Sequence, residues 1–270
     1  MSPVSRLLLK GGRRRAAGLV HRVTPASAGW RYVGFELHRL EPGQSLERDT
    51  GAEEVCLVLV AGHADVSASG ERWPGLGGRG SPFEPLGPHA VYVPRGGHYR
   101  VVARSDLELA VCSAPGGGEH RARWIDPRGM RCTSRGQGSS LRQVRDILPE
   151  GEPAHALLVV EVLTPGGHWS SYPPHKHDVD NLPDEAQLEE IYYHRISGVH
   201  GFALQRVYTQ DRSLDVALVV EDGDAVLVPC GYHPCAAADG YDLYYLNVMA
   251  GPRRCWRYAT DPAHRWLLQR

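Results

Sequence analysis

Two short motifs recur half a chain apart, and that recurrence limits the fold more than any other feature of the sequence. Glu53-Glu54-Val55-Cys56-Leu57 opens an apolar run in the first half, and Glu189-Glu190-Ile191-Tyr192-Tyr193 opens one in the second. Pro94-Arg95-Gly96-Gly97-His98 follows the first run, and Pro229-Cys230-Gly231-Tyr232-His233 follows the second with the same Pro-x-Gly-x-His spacing. Glu54 and Glu190 are 136 residues apart and His98 and His233 are 135 apart, so two unrelated motifs share nearly one displacement. A tandem duplication accounts for both. Each copy must bury its own core, and 270 residues of which 42% are hydrophobic suffice for two.

The local signals in both halves are those of short strands. In the first half, 54–60, 90–93, 99–103 and 107–112 are β-branched or aromatic runs bounded by Gly and Pro. In the second, 156–163, 190–193, 202–208, 215–220, 225–228 and 243–248 read the same way, and helical periodicity is weak throughout. The expected class is all-β: two antiparallel sandwiches or barrels in series. Pro115-Gly116-Gly117-Gly118 ends the first strand set, and 128–150 is polar and rich in Ser, Arg and Gly. The division expected is therefore 1–145 and 146–270, with Arg142 to Leu148 able to add a strand to a neighbouring sheet.

Charge and cysteine content exclude several classes. Thirty basic residues against 31 acidic ones give a net charge of −1, and only Lys10 and Lys176 are lysines, so no nucleic-acid footprint is present. Arg13-Arg14-Arg15 reads as a solvated N-terminal face, and Leu7-Leu8-Leu9 is too short for a signal segment. No apolar run approaches the ~20 residues of a spanning helix, so a soluble, cytoplasmic protein without membrane contact is expected. The six cysteines form no CxxC pair and are expected to be reduced and mostly buried.

The chemistry concentrates in the second half. His175 and His177 flank one residue, and alternate side chains of an extended strand share a face, so both imidazoles can grip one ion. A carboxylate and a third imidazole follow at Glu190 and His233. Three neutral His and one carboxylate suit a borderline divalent ion and leave positions open for a substrate. Glu185 and Glu189 also follow the His pair, so the carboxylate is open among three, with Glu190 preferred because it directly precedes the apolar strand.

His175-x-His177, then Glu190, then Gly223-Asp224-Ala225-Val226-Leu227-Val228-Pro229-x-Gly231-x-His233 resemble the two motifs of the cupins, small barrels that usually hold a metal. The surrounding words narrow the likeness. Gly167-His168-Trp169-Ser170-Ser171-Tyr172-Pro173-Pro174-His175-Lys176-His177-Asp178, the run Gly201 to Tyr208 and the run Gly240 to Gly251 resemble the 5-deoxy-glucuronate isomerase family of myo-inositol catabolism, bicupins related to the 4-deoxy-L-threo-5-hexosulose-uronate ketol-isomerases. The first half matches more loosely, through Gly77 to Phe83 and Val91 to Pro94. Twelve residues separate His177 from Glu190, where cupins place a short spacer, so 179–188 should loop out beside the site.

The resemblance implies a bicupin of two tandem jelly-roll domains, with one divalent ion (Zn, Mn, Fe or Ni) per chain on His175, His177, Glu190 and His233. It implies conversion of 5-deoxy-D-glucuronate to 5-dehydro-2-deoxy-D-gluconate through an enediolate, by a homo-oligomer acting on a small sugar acid. In the first half, cupin spacing from Glu54 lands on Glu47 and Asp49 with only His98 as imidazole, so a metal-free barrel is expected there. If Glu190 points inward, Tyr192 and His194 share its face, and an inward Asn247 brings Tyr245 with it. Tyr192, Tyr245 and His194 are thus the catalytic candidates. Arg206 is the candidate partner of the substrate carboxylate, and Gln205, Tyr208, Asn247 and Lys176 complete the substrate-binding set. A cupin dioxygenase and a non-catalytic storage, sugar-binding or regulatory bicupin are the competing classes.

Overall fold

The structure is a computed structural model that describes residues 7–12, 17–117 and 119–269. Arg13 to Arg15, expected to form a solvated face, lie outside these residues. Two compact units emerge, and neither is contiguous in sequence: one joins Arg14–Arg131 to Arg145–Val160, the other joins Met1–Arg13 and Cys132–Val144 to Glu161–Arg270. The expected break at 145/146 thus gives way to an exchange of segments.

The first unit contains two antiparallel sheets. One runs in the order Arg123–Ile125, His89–Val93, Glu53–Ala61, Leu107–Pro115, Gly34–Leu40, Gly18–Val23. The other runs Ser45–Asp49, His98–Ala103, His63–Ala68, Glu71–Gly77. Alternation sends Val55, Leu57 and Leu59 into one core with Val66, Val91, Val101 and Leu109. Glu54 and Cys56 take the opposite face, and Glu54 is fully buried there. Its carboxylate accepts from the Tyr92 hydroxyl at 2.6 Å and from the backbone amides of His155, Ala156 and Leu157 at 2.7, 2.6 and 2.7 Å. These bonds tie residues 155–157 to this unit.

The repeat is one residue out of register at its glutamates. Glu190 pairs with Val228, but the residue paired with Val93 in the first unit is Val55. A shift of one flips a side chain to the other face, so the first unit presents Val55 to its core where the second presents Glu190. His98 is half exposed and faces Glu47 across 3.1 Å, while its neighbour Tyr99 enters the core. Among the described residues no metal-competent cluster occurs in this unit.

The second unit has a seven-stranded sheet ordered Leu8–Leu9, Ala225–Val228, Glu189–Ile196, Leu243–Ala250, Leu158–Thr164, Arg142–Leu148, Cys132–Arg135. A four-stranded sheet runs Trp169–Ser170, Cys235–Ala237, Phe202–Tyr208, Asp215–Glu221, and His175–Lys176 pairs separately with Ala259–Thr260. Leu8 and Leu9 pair with Val226 and Ala225, so the N-terminal leucines are an edge strand of this sheet. The core gathers Val144, Val162, Tyr192, Val207, Val220, Val228 and Tyr245. Among the described residues no helix is long and apolar enough to cross a membrane. All six cysteines are free, with Cys56, Cys112 and Cys235 buried.

Candidate metal centre and active site

The strand Glu189–Ile196 sets the geometry. Its alternation aims Glu190, Tyr192 and His194 inward, and the neighbouring strand adds Asn247 and Tyr245, paired with Tyr192 and His194 respectively. Asn247 donates through Nδ2 to Glu190 Oε1. The other carboxylate oxygen, Oε2, lies 2.8 Å from His177 Nε2 and 3.0 Å from His233 Nε2. The ligand atoms of His177, Glu190 and His233 lie within 4.8 Å of one another, all buried. His175 stands at their rim, its ring centroid 5.0 Å from that of His233 and 4.4 Å from that of Tyr258.

Local backbone fixes each imidazole. His177 Nδ1 faces the Leu188 carbonyl at 2.8 Å, His233 Nδ1 the Gly231 carbonyl at 2.8 Å, and His175 Nδ1 the Pro173 carbonyl at 3.3 Å. A carbonyl only accepts, so each Nδ1 carries the proton and each Nε2 offers a lone pair. Leu188 closes the loop after His177, and its own amide bonds back to the His177 carbonyl at 3.0 Å. Asp178 accepts from the Gly231 amide at 2.7 Å and so ties the His175–His177 segment to the turn that carries His233.

This donor set fits a cation. His233 Nε2 is buried without an aligned hydrogen bond although a carboxylate oxygen sits beside it, which sets lone pair against lone pair. Burial works to raise the Glu190 carboxyl, but His233 and His177 outweigh it and hold it well below the usual range. Burial lowers His177, yet the Glu190 charge prevails and raises it, so the carboxylate favours positive charge at this spot. His175 is partly exposed as a residue, but its dense surroundings, with His233 and His177, push it down to about 3, keeping it a neutral donor.

A hydroxyl network extends from this cluster. The Tyr192 ring lies 5.9 Å from that of His233 and 4.9 Å from that of Tyr245. Tyr192 Oη is 2.9 Å from Ser171 Oγ, and Tyr245 Oη is 2.7 Å from Ser170 Oγ and 3.4 Å from Ser171 Oγ. Burial raises both phenols. His194 stacks on Tyr192 at 5.7 Å and donates through Nε2 to Gln205 Oε1 at 2.9 Å, leaving its buried Nδ1 lone pair unpartnered. Burial lowers this imidazole to about 4, so it is neutral at pH 7.

Three sequence candidates fall elsewhere. Ala203, Gln205 and Val207 face inward on their strand, which turns Arg206 outward, half exposed and paired with Asp215 at 2.7 Å. Tyr208 shares that outer face: its hydroxyl donates to Asp261 at 2.7 Å, and the guanidinium carbons of Arg206 and Arg212 lie 4.5 and 4.1 Å from its ring centre. Lys176 alternates away from its flanking histidines and is bound by Glu185 at 2.8 Å. Glu185, which also accepts the Asp178 amide, is thereby committed, and Glu189 takes the face opposite Glu190. Ser170, Ser171 and Tyr258 were not anticipated, although both serines stand in the motif immediately before Tyr172-Pro173-Pro174.

A family model described as KduI/IolB family matches residues 7–267. The chain belongs to the KduI/IolB family. A relative from Geobacillus kaustophilus named 5-deoxy-glucuronate isomerase is 53% identical over 266 residues, which are 98% of this chain and 96% of the relative. An IolB-like protein from Salmonella typhimurium superposes with a TM-score of 0.94 at 47% identity, covering 97% of this chain and 99% of that one. Oxalate decarboxylase from Lactobacillus farciminis shares the fold at a TM-score of 0.66 and 13% identity, over 98% and 90% of the two chains. The all-β bicupin expectation is borne out, and the isomerase class agrees with the names that KduI/IolB relatives carry.

Proposed function

We propose that this member of the family isomerises 5-deoxy-D-glucuronate to 5-dehydro-2-deoxy-D-gluconate, with a divalent ion held by His175, His177, Glu190 and His233. The observation that carries the metal reading is the buried, unpartnered His233 Nε2 beside the Glu190 carboxylate. Such an ion, Zn, Mn, Fe or Ni by donor type, would polarise the aldehyde and its neighbouring hydroxyl and lower the pKa of the C–H between them. Tyr192 and Tyr245, kept protonated by burial, donate hydrogen bonds to substrate oxygens as charge develops in the enediolate. His194 offers an unprotonated nitrogen beside them and suits the role of proton acceptor, with Gln205 fixing its tautomer. Ser170 and Ser171 connect the two phenols and give the proton a path between carbons. The reading also places the enzyme in myo-inositol catabolism and the cytoplasm. It includes self-association, supported by Leu204 and Val219, cross-strand partners that are both half exposed on the outer face of their sheet.

The test joins metal analysis to an isomerase assay on 5-deoxy-D-glucuronate. Wild type is expected to carry about one ion per chain, while His233→Ala loses the ion and about a thousandfold in turnover. Product formed in deuterated water should carry solvent label at the carbon that receives the proton. Full turnover by metal-free protein would remove the metal from the proposal, and unlabelled product would remove exchange through solvent-accessible groups.

A further inference from the structure

We propose that Arg142 anchors the carboxylate of the sugar-acid substrate, an inference that rests on the isomerase reading above. With Arg206 turned outward, the site needs another cation at the end away from the metal ligands. Val144 lies in the core with Tyr192, Tyr245 and Cys235, and Arg142, two residues earlier on the same strand, shares its face. The guanidinium is held in place: Nη1 donates to the Ser140 carbonyl at 3.0 Å. Gly136 leaves it room, since a Cβ there would come within 2.7 Å of Nη1. The turn Gly138–Ser140 packs against Trp169–Ser170, and His168 Nδ1 donates to the Leu141 carbonyl at 2.8 Å. Ser170 in turn bonds the Tyr245 hydroxyl, so this turn delivers Arg142 to the far end of the hydroxyl network.

Charge balance points the same way. Lys10, Lys176, Arg195 and Arg206 of this unit are each paired with a carboxylate. Among the described residues Arg142 has only the Ser140 carbonyl, although it is partly buried. A half-desolvated guanidinium with four N–H donors to spare is built for an incoming anion, and its planar fork matches a carboxylate. Aldehyde and carboxylate are the two ends of the substrate. Placed with the aldehyde at His233 and Glu190, the chain lies along Tyr192 and Tyr245 toward Arg142.

The experiment compares metal-loaded wild type, Arg142→Gln and Arg142→Lys on 5-deoxy-D-glucuronate and on the analogue carrying CH2OH in place of the carboxylate. Arg142→Gln should lose about a hundredfold in kcat/KM on the acid, chiefly through KM, retain its metal, and match wild type on the alcohol. Arg142→Lys, which keeps the charge and loses the fork, should fall between them, and it decides the matter if the Gln variant does not fold. Arg206→Gln should leave the acid-to-alcohol preference unchanged. A preference for the acid that survives both Arg142 variants overturns the anchor alone. A metal-loaded wild type that turns over neither aldehyde overturns the isomerase reading, and the anchor with it.

Discussion

His194 shows how far a residue's surroundings can be read as a measurable property. Fully buried between aromatic rings, it is pushed down to about 4 from an ordinary 6.5. Between those two values the unfolded chain binds a proton that the folded chain refuses, so stability falls as pH drops. The contribution is complete above about 6.5 and lost on approach to 4, a loss of about 3 kcal/mol from the shift alone. Urea unfolding from pH 4 to 7 should show a steeper loss in wild type than in His194→Asn; equal slopes would contradict the neutral, buried state. At this scale alternation grouped Tyr192 and His194 with Glu190, and Tyr245 with Asn247, on one face of their paired strands. Arg206 was misplaced because Phe202-Ala203-Leu204-Gln205 is apolar at its exposed positions and carries a glutamine at a buried one. Polarity there reports the wrong phase, and only contact with His194 and His233 shows that Gln205 faces in.

Strands were legible where they are apolar on both faces. Glu53–Ala61, Leu107–Pro115 and Leu243–Ala250 are buried almost throughout and were expected from their runs of Val, Leu and Tyr. Gly18–Val23, Ser45–Asp49 and Glu71–Gly77 carry no such signal, because exposed charges, Gly and Pro74 interrupt them. The repeat itself was visible, but its register was set by one residue. Glu54, matched by sequence to Glu190, is a structural anion on the opposite face, satisfied by one hydroxyl and three amides. Glu54→Gln replaces an acceptor-only group with one that brings an N–H toward those donors. It should destabilise the protein by roughly 2–4 kcal/mol in chemical denaturation, with metal content unchanged. A loss of metal instead would assign Glu54 to the centre.

For the whole molecule, the exchange of segments makes a prediction of its own. Leu7–Leu9 and Cys132–Val144 complete the unit that carries the His177–Glu190–His233 cluster, with Leu7 and Val144 buried in its core. A fragment of residues 146–270 lacks both, exposes two sheet edges and should not fold, seen as poorly dispersed amide resonances and no uptake of metal. A folded, metal-binding 146–270 would restore the contiguous division read from the sequence. What the sequence determined alone is local or periodic: strand content, the repeated motifs, the His and Glu residues of the cluster, and which side chains share a face along one strand. What tertiary structure alone decided is phase and partnership: Val55 inward where Glu190 stands in the other copy, Arg206 outward, Arg142 without a counter-ion among the described residues, and the N-terminal leucines in the second sheet. The physical reason is that alternation fixes only relative orientation, whereas the absolute face and the distant partner depend on which surfaces pack together and leave no charge or lone pair unanswered.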